Sequence, residues 1–158
     1  MIDGENQDAR AEARITRQEN TADFSWVQID LSKANPKLRQ WTRRIGMAQR
    51  QAVLIEDSLH GDQPVEIVWG MMTDADISQN GPVATLHKNG WNLAVEIRTP
   101  RHAVFDVMPV RIPGQPNSKF QKLIVRLLEK VTELDLNIVL TPYREGQAKF
   151  KTATQFPV

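Results

Sequence analysis

The longest regular pattern of apolar positions lies between residues 36 and 60. Apolar residues recur there at alternating steps of three and four, which would place them on one face of an α-helix. Asn35 suits the N-cap, Pro36 the first helical position and Gly61 the C-terminal end. The pattern predicts a helix over residues 36–60 whose buried face holds Leu38, Trp41, Ile45, Ala48, Ala52, Ile55 and Leu59.

A second pattern of this kind follows the loop "RIPGQPN". Either Asn117 or Ser118 would cap a helix that runs to Leu134, because both side chains accept hydrogen bonds from free helical N–H groups. Its predicted buried face is Phe120, Leu123, Ile124, Leu127, Val131 and Leu134.

Alternating or continuous short apolar runs predict strands in the rest of the chain. The most specific is a hairpin over residues 83–98, since Asn89-Gly90 is typical of a two-residue type I′ turn. Its register would place Lys88 opposite Trp91, Leu86 opposite Leu93 and Ala84 opposite Val95. Further strands are predicted in "FSWVQIDL", "VEIVWGMM", "HAVFDVMPV", "LNIVLTPY" and "QAKFKTATQF".

This order of elements, β-α-β-β-β-β-α-β-β, predicts the α+β class. We expect a mainly antiparallel sheet with the two long amphipathic helices packed on one face. Residues 1–22 lack a large apolar cluster and are predicted to be a flexible polar tail. Residues 23–158 are then a single domain, which is an ordinary size.

The composition excludes cysteine chemistry and argues against a membrane-spanning or secreted protein. The 158 residues include no cysteine, which excludes disulfides and thiolate metal sites. No apolar run approaches the roughly 20 residues that span a bilayer, and "MIDGENQDAR" does not read as a secretory signal. These features favour a cytoplasmic protein with no membrane partner.

The formal net charge of +1 hides blocks of opposite sign. Residues 33–50 contain six basic residues and no acid, whereas residues 51–86 contain six acids and no Lys or Arg. Such asymmetry can steer a charged partner. It can equally mean that the blocks meet in the fold and neutralise each other.

On the predicted helix 36–60, Arg39, Arg43 and Arg50 lie opposite the apolar face, with Arg44 nearer its flank. Basic residues also line one side of the second predicted helix. The candidate surface for a phosphate or an acidic partner is therefore Arg39, Arg43, Arg44, Arg50, Lys119, Lys122 and Arg126. Met47 and Leu54 lie off the apolar face and form a candidate exposed strip for a protein interface.

Catalytic signals are weak. The chain has no nucleophile elbow, phosphate-binding loop or dinucleotide fingerprint. His60, His87 and His102 have no metal-ligand spacing, and "TDADISQNG" lacks the Gly and Glu that a calcium loop needs. We expect no catalytic residue, no metal and no cofactor, and an enzyme is the less favoured class.

Three functions stay open from the sequence. The first is a non-catalytic protein-interaction module, as a homodimer, adaptor or inhibitor of another protein, that uses the exposed side of helix 36–60. The second is a nucleic-acid-binding protein that contacts phosphates through basic helix faces. The third is an enzyme of unfamiliar type.

Overall fold

The computed structural model describes residues 1–110, 113–114, 119–151 and 156, and its regular elements there are β-strands and one 3-10 turn, Ser32–Ala34. No helix in these residues is long and apolar enough to cross a membrane. The strands are β1 Arg14–Asn20, β2 Phe24–Asp30, β3 Leu38–Ala48, β4 Ala52–Val65, β5 Val68–Thr73, β6 Asp76–Asn80, β7 Val83–Lys88, β8 Trp91–Thr99, β9 Val104–Pro109, β10 Gln121–Arg126 and β11 Val131–Arg144.

The strands form two sheets in which every pair of neighbours is antiparallel. The large sheet has eight strands in the order β1-β2-β3-β4-β11-β8-β7-β6. The small sheet has three, in the order β5-β10-β9. Long strands β4 and β11 lie at the centre of the large sheet, and β9 lies against β6 and β7.

The main core lies between the two sheets. Side chains from β3, β4, β7, β8 and β11 of the large sheet join side chains from β9 and β10 of the small sheet in one buried cluster. Val95, Leu123 and Ile138 in this cluster have no exposed surface. The fold is therefore a β-sandwich, in which alternate residues of each strand point into the space between the sheets.

A smaller cluster covers the opposite face of the large sheet. It contains Trp26, Ala48, Leu54, Val139 and Phe156, with Phe24 packed against it. Gly46 makes this packing possible, because a Cβ there would lie 2.6 Å from the Phe24 ring and 2.7 Å from the Phe156 ring. The centre of the large sheet is thus apolar on both faces.

The predicted helix over residues 36–60 is wrong, and with it the α+β class. These residues form the β3–β4 hairpin, in which Trp41 pairs with Leu59 and Ile45 with Ile55. The chain reverses at Gln49 and Arg50, whose φ angles of 47° and 55° resemble those of a type I′ turn. Neither residue is a usual turn former, so the sequence carries no visible break between the strands.

The second predicted helix is also wrong. Its described residues form β10 and the start of β11, and the proposed caps Asn117 and Ser118 lie outside the described residues. Leu123, Ile124 and Val125 are consecutive and all buried, which is the pattern of a strand covered on both faces. Phe120, assigned to a buried helix face, is 40% exposed.

The predicted hairpin is confirmed in turn and register. Asn89 and Gly90 have φ angles of 53° and 75°. The three predicted pairs, Lys88 with Trp91, Leu86 with Leu93 and Ala84 with Val95, are those of the structure. Of the predicted closing strand at 147–156, residues 147–151 and 156 are not in a strand, and residues 152–155 lie outside the described residues.

The N-terminal residues, predicted to be a polar tail, make several contacts with the sandwich. Ile2 is 2% exposed and forms an antiparallel bridge with Ile67, next to β5. The Asp8 N–H donates to the Ala34 carbonyl at 2.8 Å. Strand β1 then adds an outer strand to the large sheet, with every residue exposed.

The apolar cluster on the outer face can be tested at Leu54, which has no exposed surface. We expect Leu54→Ala to lower the free energy of unfolding by about 2–5 kcal/mol, because it leaves a cavity between Trp26 and Val139. Denaturant unfolding of both variants would measure this. Met47→Ala is the matched control, since Met47 is 46% exposed and should cost about 0.5 kcal/mol or less.

Candidate functional site

The basic and acidic blocks of the sequence meet across the β3–β4 hairpin. Arg43 lies opposite Asp57 and Arg44 opposite Glu56, and both pairs form ion pairs. Arg39 lies 3.6 Å from Asp62 near the start of β3. The acidic partners of these arginines therefore lie on the facing strand, β4.

Asp57 is the centre of the most buried polar group. The residue is 2% exposed, and its Oδ1 accepts hydrogen bonds from Trp41 Nε1 at 2.9 Å and Arg43 Nε at 2.7 Å. Its Oδ2 accepts from Arg43 Nη2 at 2.8 Å. The Arg43 guanidinium also lies 5.6 Å from the centre of the Trp41 ring. The arginine is thereby held in one orientation, since a bidentate pair fixes the plane of the guanidinium.

Arg43 lines a cleft where β5 of the small sheet lies over β3 and β4. This cleft, the edge pocket, has a volume of about 270 Å³. An Arg side chain carries five N–H donors, and Asp57 accepts only two of the five on Arg43. The polar and aromatic side chains of the edge pocket are those of Asn6, Gln7, Trp41, Arg43, Asp57, Trp69 and Lys122.

Lys122 reaches the edge pocket because Gly70 has no side chain. A Cβ at Gly70 would lie 2.7 Å from Lys122 Cε and 3.1 Å from Ile124 Cγ2. The stem of Lys122 therefore lies directly over Gly70 at the edge strand β5. Among the described residues, no acid lies within ion-pair distance of Lys122.

The edge pocket has an excess of positive charge. Two cationic side chains, those of Arg43 and Lys122, line it against one carboxylate, that of Asp57. Burial, followed by the positive charges of Lys122 and Arg43, lowers the pKa of the Met1 amino group beside them. This arrangement favours an anion in the edge pocket, because an anion would complete the charge balance and accept the unused N–H groups.

The structure separates most of the predicted cationic surface. Arg44 lies on the opposite face of the large sheet from Arg43 and contacts Phe156, 4.9 Å from its ring centre. Arg50 is in the β3–β4 turn, Lys119 is in the exposed segment before β10, and Arg126 pairs with Asp106 at 3.4 Å. Only Arg43 and Lys122 of the seven predicted cations line the edge pocket.

The predicted interface strip of Met47 and Leu54 is also divided. Leu54 is buried on the outer face, whereas Met47 lines an open groove on the face that bears the main core. This sheet groove has a volume of about 560 Å³ and is floored by Val27, Ile45 and Val53, with Gln18, Asn20 and Ser25 among its other lining residues.

Sequence reasoning missed Asp57, Trp69 and Gly70. One signal was available for Asp57, which shares strand parity with the apolar residues Ile55 and Leu59. An acid at such a position has to be paired when buried. Trp69 and Gly70 had no comparable signal, because their role depends on which strand lies above them.

The three histidines lie apart, and no group of three or more potential metal ligands occurs among the described residues. His60 lies 3.7 Å from Glu133, and His87 Nδ1 lies 3.0 Å from Asn92 Oδ1. In the segment considered for calcium, Lys88 donates to both oxygens of Asp74 at 2.6 Å. These hydrogen bonds lower the pKa of Asp74.

No family model matches this sequence, and no curated protein matches it. Solved structures do resemble it. The heparan sulfate lyase HepC from Pedobacter heparinus matches with a TM-score of 0.70 and 14% identity, over 87% of this chain and 22% of the lyase. The heparinase III-BT4657 gene product matches with a TM-score of 0.67 and 11% identity, over 84% and 22% of the two chains.

These similarities show a shared fold at low sequence identity. The chain spans about a fifth of the length of the structures that it matches. The β-sandwich of this chain therefore corresponds to one part of each of these proteins, and most of each protein lies outside the match.

The buried ion pair can be tested by removing its acid. We expect Asp57→Ala to lower the free energy of unfolding by about 3–5 kcal/mol, because Arg43 and the Trp41 indole both lose their buried acceptor. Chemical denaturation would measure the change. Asp62→Ala is the control, because its pair with Arg39 is exposed and should contribute about 0–1 kcal/mol. Equal losses in the two variants would contradict a special role for Asp57.

Proposed function

We propose that this chain is a non-catalytic binding module that holds an acidic group of a saccharide, a sulfate or a carboxylate, in the edge pocket. The observation that carries the proposal is the Arg43 guanidinium, fixed by Asp57 and flanked by Lys122 with unused donors on both cations. A fixed guanidinium binds an oxyanion well, because little conformational freedom is lost on binding.

The aromatic residues support a ligand larger than a free ion. Half-buried Trp69 and buried Trp41 line the edge pocket, and exposed Asn6 and Gln7 add neutral amide groups to its wall. Pockets for organic ligands commonly combine apolar walls with a few directed polar groups. The fold also supports the choice of ligand, since the similar structures are described as heparan sulfate lyases and heparinases.

A binding role fits the edge pocket better than catalysis. Asp57 already accepts three hydrogen bonds and is paired with a cation, which makes it a poor general base. No histidine lines the edge pocket among the described residues. An enzyme of unfamiliar type therefore has less support than a binding module.

The other functions considered from the sequence have different support. Phosphate binding through one broad basic surface has less support, because the seven cations are distributed over both sheets. A protein interface retains one specific observation, the exposed Met47 in the sheet groove. The cytoplasmic location stays a prediction, and it would require the acidic saccharide to be an intracellular one.

The test is calorimetric titration with a heparin-derived tetrasaccharide at low and physiological salt. We expect Lys122→Ala to weaken binding by about tenfold or more, the usual loss for one charge-assisted hydrogen bond. Gly70→Ala should weaken it in the same direction, because the new methyl group displaces the Lys122 stem.

Two controls separate the alternatives. Lys119→Ala removes an equal charge three residues away, outside the edge pocket, and should leave the affinity within about twofold. A desulfated tetrasaccharide and a DNA oligonucleotide of equal charge test the ligand class. Absence of binding, or binding that Lys122→Ala leaves unchanged, would contradict the proposal, and a preference for DNA would favour phosphate recognition.

A further inference from the structure

The outer edge of β1 is open, unlike the opposite edge of the large sheet. Strand β1 is the first in the sheet order and pairs only with β2 among the described residues. At the other end of the sheet, β6 lies against β9. An open edge presents unpaired N–H and C=O groups that another strand can use.

The pairing of β1 with β2 determines which residues of β1 have backbone N–H and C=O groups at the open edge. The Thr21 N–H donates to the Phe24 carbonyl at 3.0 Å, so Thr21 and Phe24 form a hydrogen-bonded pair. Hydrogen-bonded and non-hydrogen-bonded pairs alternate along an antiparallel ladder. The pairs of Glu19 with Trp26 and of Arg17 with Gln28 are therefore hydrogen-bonded within the hairpin. The backbone groups of Gln18 and Asn20 consequently point to the open edge.

The two neighbours of Gln18 carry opposite charges on the same face of the sheet. Arg17 lies 5.5 Å from the centre of the Trp26 ring, and Glu19 Oε2 accepts from Trp26 Nε1 at 3.3 Å. Both charged side chains are thus on the Trp26 face of the sheet. Neither forms an ion pair with another described residue.

We propose that β1 is the interface of a symmetric dimer, in which two copies pair edge to edge and antiparallel with Gln18 on the two-fold axis. In this register the Gln18 backbones of the two copies exchange hydrogen bonds. Arg17 of each copy lies opposite Glu19 of the other, in a non-hydrogen-bonded pair with Cα atoms about 4.5 Å apart. The two opposite-charge contacts are equivalent, as an isologous interface requires.

The same register suits the other face. Gln18 and Asn20 line the sheet groove, so their amides would meet those of the second copy across the axis. The dimer would join the two large sheets into one continuous sheet and bring the two sheet grooves together.

Analytical ultracentrifugation between about 1 and 200 μM tests the proposal, the range in which edge contacts of modest area associate. We expect the mass to rise from the 18.0 kDa of one chain towards twice that value. Arg17→Glu and Glu19→Arg should each weaken association by about tenfold or more, because each places two like-charged pairs at the axis. The double variant Arg17→Glu/Glu19→Arg restores opposite charges and should restore association.

Arg39→Glu is the matched control, because it makes the same change at an exposed strand residue away from β1 and should leave the mass unchanged. Arg17 and Glu19 both contact Trp26. Thermal unfolding of each variant therefore checks that the charge changes leave the monomer folded. A monomer at all concentrations would overturn the dimer and indicate that Arg14, Arg17 and the β-bulge protect the edge. A dimer that both single swaps leave intact would overturn this register.

Cross-linking provides an independent measurement, since the natural chain has no cysteine. Gln18→Cys should give a covalent dimer with a short bismaleimide, because the axis places the two Cβ atoms about 4.5–5.5 Å apart. Asn80→Cys on the other edge strand, β6, is the control and should stay monomeric. Equal cross-linking of both variants, or none at Gln18→Cys, would contradict the proposed axis.

Discussion

The need to neutralise a buried carboxylate sets the arrangement of the β3–β4 hairpin. Asp57 is almost fully buried and can be tolerated only with its partners in place. Those partners, Trp41 and Arg43, belong to the facing strand, so one register satisfies the charge. A shift of one residue would turn Arg43 to the other face of the sheet and leave Asp57 unpaired. The same contacts that hold the hairpin also fix the guanidinium at the wall of the edge pocket.

The two faces of the large sheet have different contacts. One face packs against the small sheet and bears the main core. The edge pocket lies on this face, beside β5, an edge strand of the small sheet. The other face carries the cluster around Leu54 and Phe156. The sheet groove is lined by residues of β1 to β4, and β1 is the open edge of the large sheet. The proposed binding site and the proposed dimer interface therefore lie in different parts of one sandwich.

The candidate site was predictable only in part. The sequence identified Arg43 and Lys122 as candidate binding residues, but it grouped them with five cations that the fold places elsewhere. It recorded basic and acidic blocks without showing that they face each other in one hairpin. Asp57, Trp69 and Gly70 were missed, because their contribution depends on contacts between strands that are distant or on different sheets. Met47 is exposed and Leu54 is buried, because the two residues lie on opposite faces of the sheet: Met47 pairs with Val53, and Leu54 pairs with Gly46.

By itself the sequence determined the features that depend on neighbouring residues. Asn89-Gly90 fixed a turn and the register of its hairpin, because only a few residue pairs accept two positive φ angles. Only the tertiary structure decided between helix and hairpin over residues 36–60. Apolar steps of three and four suit a helix with one buried face, but they also suit two strands whose two faces are both covered. The covering layers come from distant parts of the chain, including β10, β11 and Phe156, and local periodicity carries no information about them.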